Sequence, residues 1–164
     1  MIELKCINGD NIDELVALEV SEEQKDLMAS TILRSFADAY EMNKDGVTTA
    51  PYAVYVEDKL VGFSMYIYDI MDHESFVNET FFGKNSYFIW HFMIDRNYQG
   101  QGYGKLALEK TIEDIMTKPF GQADYIVLFY NMKNIRAKKL YESFGFTDTG
   151  IVMDGSMLAI KKLT

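Results

Sequence analysis

The sequence predicts an α/β (α+β) fold with a central mixed, mostly antiparallel β-sheet and helices on both faces. Hydrophobic periodicity gives elements in the order β-α-α-β-β-β-α-β-α-β-β. Short polar turns join several successive strands, which is typical of antiparallel hairpins. One strand–helix–strand crossover lies among these hairpins and requires a parallel pair. This mixture favours a mixed sheet over a doubly wound parallel one.

The composition is that of a folded chain forming one domain over residues 1–164. Apolar residues make up 48% of the sequence, aromatic residues 14%, and only two residues are prolines. Cys6 is the single cysteine, so no internal disulfide, no thiolate zinc site and no other metal site is expected. No leader pattern or membrane-length apolar run is visible, so we expect a cytoplasmic protein that does not bind a membrane.

The first fifty residues predict a strand followed by helices. Residues 2–7 alternate apolar and polar side chains, as a half-buried strand does. Apolar positions within residues 12–18 have helical spacing. Residues 21–24 match a capping box, which predicts that the Ser21 side chain caps a second helix. That helix is expected to run, with a break near Ser30, to a stop at residues 43–46.

The middle of the chain predicts three strands. Residues 53–56 and 60–68 are aromatic and β-branched and enclose a two-residue polar turn, which indicates a hairpin. Residues 87–94 form the next predicted strand. The polar stretch 69–86 is too long for a simple turn, so it is a candidate for a functional loop that covers a substrate.

The remaining residues predict two helices and three strands. Residues 104–116 and 134–144 are amphipathic with helical spacing, and a buried strand is predicted between them at 125–129. Residues 147–153 and 157–162 enclose a tight Asp-Gly turn and form a last hairpin.

The charged residues are unevenly distributed along the chain. The net charge is −9. Residues 1–58 contain thirteen acidic and four basic residues, whereas residues 96–139 contain eight basic and four acidic ones. A net negative surface repels phosphates, which argues against a nucleic-acid partner. The uneven distribution would suit a cationic substrate and an anionic cofactor, although charge runs are also found on plain solvated helices.

Residues 99–104, Gln-Gly-Gln-Gly-Tyr-Gly, form a glycine-rich turn between a strand and a helix. Backbone N–H groups in such a turn and the positive end of the helix can bind a pyrophosphate, although a plain tight turn has the same composition. An ATP-type P-loop would need glycine at position 99 and Ser or Thr at position 106, which hold Gln and Leu. A dinucleotide fingerprint has different glycine spacing and follows the first strand of a parallel sheet.

Two segments resemble the Gcn5-related N-acetyltransferase (GNAT) superfamily. Residues 92–106 resemble its acetyl-CoA-binding motif, whose core is Q/R-x-x-G-x-G/A. Residues 131–146 look like its N-x-x-A-x-x-L-Y-x-x-x-G-F signature. The resemblance covers essentially the whole chain and implies a GNAT-like fold, acetyl-CoA as the cofactor and a preference for a homodimer.

The resemblance also implies which residues bind the cofactor. They are Phe92, Met93 and Ile94 on the fourth strand, Gln99, Gly100, Gln101, Gly102, Tyr103, Gly104 and Lys105 at the turn, and Asn134 and Lys139 on the following helix. Lys138 is an alternative to Lys139. Asn134 could equally be a helix cap.

For catalysis, the resemblance implies direct attack of an amine on the thioester in a ternary complex. Tyr141 matches the tyrosine that protonates the thiolate leaving group. Many relatives carry Glu or Asp as a base where this chain has Trp90. His91 titrates near neutrality and could replace that base, but strand alternation points it away from the face of Trp90 unless the strand bulges. Ordered water backed by a carboxylate is the other candidate.

Among subfamilies the chain most resembles the bacterial spermine/spermidine acetyltransferases, on residues 20–24, 60–66 and 98–102. A polyamine would be attracted to carboxylates. The substrate-binding candidates are Glu19, Glu22, Glu23, Asp38, Glu41 and Trp90. The alternatives are an acetyltransferase for an aminoglycoside, an amino acid or a peptide N-terminus, and a non-catalytic acetyl-CoA sensor.

Overall fold

The structure is a computed structural model that describes residues 1–27 and 30–163. Its strands are β1 Ile2–Cys6, β2 Thr48–Val56, β3 Lys59–Ile70, β4 Asn85–Ile94, β5 Tyr125–Asn131, β6 Thr147–Met153 and β7 Ser156–Lys162. Its helices are α1 Ile12–Val16, α2 Glu22–Lys25, α3 Ile32–Lys44, α4 Tyr103–Met116 and α5 Ile135–Ser143, with a 3-10 turn at Glu74–Phe76. Across the described ranges, no helix combines the length and the apolar composition that a membrane crossing requires.

The strands form one sheet in the order β1-β2-β3-β4-β5-β7-β6. Every neighbouring pair is antiparallel except β4 and β5, which are parallel and are connected through α4. The predicted fold class, a mixed and mostly antiparallel sheet with helices, is therefore confirmed. The predicted second helix between β1 and β2 is instead two separate helices, α2 and α3.

The sheet buries a different hydrophobic cluster on each face. On β3, Phe63 and Met65 pack in a cluster with residues of α1 and α3. The alternate residues face α4, where the Ser64 hydroxyl lies 2.9 Å from that of Thr111 and the Tyr66 hydroxyl donates to Asp114. The two-residue period of the strand thus places helices on both faces.

The segment that leads into α3 differs in its capping from the prediction. The prediction of a capping box at Ser21 is wrong, because the Ser21 side chain makes no capping hydrogen bond to α2. The side chain of Gln24 instead accepts a hydrogen bond from Gln99, 75 residues away. Thr31 caps α3 by accepting from the Arg34 N–H. The break near Ser30 is present between α2 and α3, and residues 28 and 29 of this connection lie outside the described residues.

The long connection between β3 and β4 packs into the core. Phe76 and Phe81 are buried in a cluster with Tyr125, Val127 and Leu158. None of the residues of this connection lines the cleft described below. Its aromatic side chains thus cover the neighbouring part of the sheet, and a role in covering a substrate stays a prediction.

Candidate active site

A cleft opens where the two parallel strands of the sheet separate. β4 and β5 pair only from Ser86 to Ile89 on one strand and from Tyr125 to Leu128 on the other. Beyond these residues the strands diverge, and the gap continues into a cleft with a volume of about 770 Å³. The ends of both strands line it, together with residues of α2, α3, α4 and α5. This volume is typical of sites for small molecules.

One side of the cleft is formed by the glycine-rich turn before α4. Gly100 and Gly102 have φ angles of 76° and 83°, a left-handed conformation that favours glycine. The Gln99 amide nitrogen donates to the Ile94 carbonyl at 2.9 Å and to the Gln24 side chain at 2.7 Å, which fixes the turn against β4 and α2. The first N–H groups of α4 have no acceptor within the helix, so they are available to an anion.

The start of α5 faces the same turn. The Asn134 side chain caps α5 by accepting from the Ala137 N–H at 3.1 Å, and Asn134 also lines the cleft. Arg136 lies on the first turn of α5. Its guanidinium Nη2 is 3.9 Å from the position that a Cβ on Gly100 would occupy. Arg136 and Lys105 thus place two positive charges beside the glycine-rich turn.

The structure brings most of the predicted cofactor residues to the cleft. Those that line it are Phe92, Met93, Ile94, Gln99, Gly100, Gly102, Gly104, Lys105 and Asn134. Gln101, Tyr103 and Lys139 lie outside its lining. Lys138 is also outside and pairs with Glu142 at 3.8 Å and Asp148 at 3.6 Å.

Tyr141 reaches the cleft from α5 and is buried. Its ring packs against Tyr130 and Phe146, with ring centroids about 6 Å away. Burial raises the pKa of Tyr141 to about 12, because ionisation would place a charge in an apolar environment. The hydroxyl is therefore protonated at neutral pH and can donate a hydrogen bond.

A β-bulge at Trp90 shapes the opposite side of the cleft. Met65 of β3 pairs with His91 and the next residue, Tyr66, pairs with Ile89, which leaves Trp90 without a partner on β3. Consequently, Trp90 and His91 both contact α3, although neighbours on a regular strand face opposite sides. The Trp90 indole N–H donates to Asp38 at 3.2 Å.

His91 lines the cleft and is only 5% exposed. Its Nδ1 lies 2.7 Å from the Ser35 hydroxyl, and its ring packs edge-on against Phe63. Its Nε2 is buried and has no hydrogen-bond partner within the described residues, an arrangement that ordinarily costs about 1–3 kcal/mol. Burial lowers the pKa of His91 to about 4, so the ring is neutral at neutral pH.

Asp38 is the one predicted carboxylate that lines the cleft, and the described lining residues include no other acidic side chain. Asp38 accepts from the Arg34 guanidinium at 2.8 Å. Glu19 pairs with Arg96, and Glu22 pairs with Lys25, in both cases on the surface. Glu23 and Glu41 are exposed and do not line the cleft.

The family of the chain follows from comparison with known proteins. The model of the acetyltransferase (GNAT) family matches residues 13–146, which is most of the chain. The chain belongs to this family. The predicted family and the predicted acetyltransferase activity are thereby confirmed.

Two curated relatives match the acetyltransferase over almost its full length. The probable spermine N(1)-acetyltransferase of Bacillus subtilis subsp. natto (strain BEST195) is 31% identical over 166 residues, covering 99% of each chain. The spermine/spermidine N(1)-acetyltransferase of Bacillus subtilis (strain 168) has the same identity and coverage.

Solved structures share the fold at lower sequence identity. Aminoglycoside acetyltransferase AAC(6')-Ib in complex with coenzyme A has a TM-score of 0.71 and 17% identity, covering 99% of this chain and 95% of that one. Arabidopsis thaliana Naa50 with a bisubstrate analogue has a TM-score of 0.63 and 19% identity, covering 99% of both chains.

Sequence reasoning missed several lining residues of this acetyltransferase. Arg136 could have been found from its place on the first turn of a helix that follows the asparagine of the second motif. Phe88 lies in the part of β4 that pairs with β5, and Phe129 lies just past the paired part of β5. Their ring centroids are 5.9 Å apart, and the Phe88 centroid is 5.3 Å from that of Trp90. Their aromatic character was visible in the sequence, but their position next to the cleft was not.

Proposed function

We propose that this acetyltransferase transfers the acetyl group of acetyl-CoA to a primary amine of a polyamine such as spermine or spermidine, by direct attack in a ternary complex. The observation that carries the proposal is the composition of the cleft. One side offers backbone N–H groups and the side chains of Arg136 and Lys105. The other offers aromatic rings and the ion pair of Asp38 with Arg34.

The glycine-rich side fits coenzyme A. A pyrophosphate needs several N–H donors and compensating positive charge, and the first turn of α4 together with Arg136 and Lys105 supplies both. Phe92, Met93 and Ile94, at the end of β4, would lie along the pantetheine arm. When bound, acetyl-CoA supplies an acetyl thioester that an amine can attack.

The aromatic side fits a cationic alkyl amine. Phe88, Trp90 and Phe129 form an apolar wall, and an ammonium over an aromatic ring is stabilised by about 0.5–2 kcal/mol. Asp38 is the proposed partner of a second ammonium, which competes with the Arg34 guanidinium that lies 2.8 Å from the carboxylate. The two Bacillus relatives, whose names specify spermine or spermidine, support a polyamine as the substrate. Glu19, Glu22, Glu23 and Glu41 lie outside the cleft, so their proposed contribution is long-range attraction.

His91 and Tyr141 are the proposed catalytic residues. A primary amine is protonated at neutral pH and must lose a proton before it attacks. His91 lines the cleft and its ring is neutral, so it is one proposed acceptor. Because its Nε2 is buried from solvent, the alternative acceptor is ordered water backed by Asp38, the carboxylate that lines the cleft.

Tyr141 is the proposed donor to the departing sulfur. With its pKa at about 12, well above the ordinary thiol value of about 8.5, complete proton transfer to a thiolate is unfavourable. The hydroxyl therefore acts mainly by donating a hydrogen bond as charge develops on sulfur.

The test is the release of free thiol from acetyl-CoA in the presence of a panel of amines. Spermine and spermidine are expected to give the highest kcat/KM. An aminoglycoside, a free amino acid and a peptide N-terminus are the competing acceptors, and a higher kcat/KM for any of them would redirect the assignment to that amine.

Tight coenzyme A binding without thiol release from any amine would instead favour the acetyl-CoA sensor. A cytoplasmic location and a homodimer stay predictions. Light scattering on the purified protein tests the second.

A further inference from the structure

We propose that Arg34 is a resident cation that occupies the place of the substrate's second ammonium at Asp38, and that it thereby sets how strongly the enzyme selects acceptors with more than one positive charge. The inference rests on the proposed function, because it concerns the acceptor side of the same cleft. Arg34 acts through Asp38 and not on the reacting atoms, so it is a specificity-determining residue rather than a catalytic one.

Both oxygens of the Asp38 carboxylate have a partner, and one of these partners is a cation. The Arg34 Nε–H donates to Asp38 Oδ1 at 2.8 Å, and the Trp90 indole N–H donates to Asp38 Oδ2 at 3.2 Å. All three residues line the cleft. An ammonium that enters the cleft therefore finds a guanidinium of the chain already at Asp38, beside an aromatic ring.

The two members of this ion pair differ in how firmly they are held. The Asp38 side chain is 18% exposed, whereas the Arg34 side chain is 71% exposed. Water can solvate the guanidinium when it leaves the carboxylate, so an exposed arginine of this kind is easily displaced. The carboxylate stays in place, because the Trp90 indole N–H bonds to it and most of its surface is covered. Arg34 is therefore the displaceable member of the pair.

The number of charges on the acceptor decides whether displacement is favourable. An acceptor with a single ammonium presents that group to the thioester and has no cation left for Asp38, so the ion pair persists. A polyamine brings a second ammonium, which replaces the guanidinium at Asp38 and releases it to water. Arg34 thus weakens the binding of a polyamine by the stability of the ion pair, whereas a monoamine has no contact to gain at Asp38.

The kinetic test uses Arg34→Gln, which removes the resident cation at an exposed position and keeps Asp38. The KM for spermidine should fall about fivefold, which corresponds to about 1 kcal/mol for the lost competitor. The ratio of kcat/KM for spermidine to that for 1-butylamine, which has one ammonium, should rise by the same factor. An unchanged ratio, or a higher KM for spermidine, would overturn the inference.

Arg96→Gln is the matched control. Arg96 is also an exposed arginine in an ion pair, with Glu19 at 3.3 Å, but it is not among the described residues that line the cleft. The substitution changes the net charge by the same amount and should alter the KM for spermidine by less than about twofold, because long-range charge is screened by salt. An equal fall of KM in both variants would assign the effect to general charge attraction and overturn the inference.

Asp38→Asn separates competition from repulsion. Without the carboxylate, Arg34 and the second ammonium have no shared partner. Arg34→Gln in the Asp38→Asn background should therefore change the KM for spermidine by less than about twofold. If KM falls as far in this background as in the presence of Asp38, the guanidinium only repels the polyamine, and competition for the carboxylate is refuted.

A binding measurement is independent of acetyl transfer. Trp90 is the single tryptophan of the chain, so its indole ¹H–¹⁵N resonance is unambiguous in NMR and reports on the Asp38 carboxylate. Spermidine titrated onto the coenzyme A complex should shift this resonance, with a Kd about fivefold lower in Arg34→Gln than in the wild type. An equal or higher Kd in the variant would overturn the inference. No acetylation of any amine by the wild type, together with the lower Kd in Arg34→Gln, would count against the proposed function alone.

Discussion

The side of the cleft formed by the glycine-rich turn is made mainly of backbone, whereas the side formed by β4 and α3 is made of side chains. On the first side, Gly100 and Gly102 have positive φ angles and the first N–H groups of α4 are free of helical acceptors. On the second, Trp90, His91 and Asp38 come from two elements that are distant in sequence and meet through a β-bulge.

This difference follows from what each side would bind. A pyrophosphate is recognised by N–H groups and positive charge, which one short contiguous segment can supply. An amine with an alkyl chain needs apolar surface and a negative charge, which several elements must supply together. The first side can therefore be identified from a motif, and the second only from the folded chain.

Tyr141→Phe should give the largest effect, because Tyr141 lies on the glycine-turn side and is proposed to act on the sulfur where the two sides meet. Loss of one donor to a developing negative charge lowers kcat by roughly 10²- to 10³-fold, with little change in KM. Steady-state kinetics measures it. Tyr125→Phe is the control, since the Tyr125 hydroxyl bonds Thr80 away from the cleft; equal losses in both variants would refute the role of Tyr141.

The side of the cleft formed by β4 and α3 should make the free energy of unfolding depend on pH, because it contains the buried His91. The glycine-rich side should not. Folding lowers the pKa of His91 from the ordinary value of about 6.5 to about 4. Between these values the unfolded chain binds a proton that the folded chain does not. The associated stability is present above pH 6.5 and is lost as the pH falls towards 4, by about 3 kcal/mol in total.

Urea unfolding at a series of pH values measures this dependence. His91→Gln should flatten the decline between pH 6.5 and 4. His73→Gln is the control, because His73 is exposed in the β3–β4 connection, and it should leave the decline unchanged. A wild-type decline in His91→Gln would show that other groups cause it.

Arg136→Gln sharpens the comparison on the glycine-turn side. Loss of a charge-assisted hydrogen bond to phosphate costs about 2 kcal/mol, so the Kd of coenzyme A should rise roughly 30-fold. Isothermal titration calorimetry measures it. Lys139→Gln removes a charge from the same helix outside the cleft lining and should change the Kd less than twofold. A larger rise in the Kd of coenzyme A for Lys139→Gln than for Arg136→Gln would assign the phosphate contact to Lys139 instead.

Trp90→Leu should give the smallest effect and one limited to the amine. Loss of a cation–π contact of about 1 kcal/mol should raise the KM for spermidine about fivefold and leave the KM for acetyl-CoA unchanged. Trp90→Phe keeps an aromatic ring, so its KM for spermidine should lie between those of the wild type and Trp90→Leu. Equal effects of Trp90→Leu on both substrates would contradict the division of the cleft into two sides.

The sequence predicted the fold class, the order of the strands along the chain and most of the glycine-rich side. The hydrophobic period and the spacing of glycines are local properties of the sequence, so they predict these features without knowledge of the tertiary contacts. The acidic residues were predicted less well: of five candidates only Asp38 lines the cleft, because exposed carboxylates can be counted in a sequence but not positioned. The capping box at Ser21 failed because Gln24 bonds Gln99 instead.

The sequence by itself determined the family, the glycine-rich turn and the position of Tyr141, since each depends on residues close together in the chain. The tertiary structure decided that β4 and β5 separate after Ile89 and Leu128, that a bulge directs Trp90 and His91 to the same helix, and that Ser35 lies beside His91. These features depend on the register between strands and on the packing of α3 against β4, which brings together Ser35 and His91, 56 residues apart in the sequence. No local pattern encodes such contacts, because they form only when the sheet is assembled.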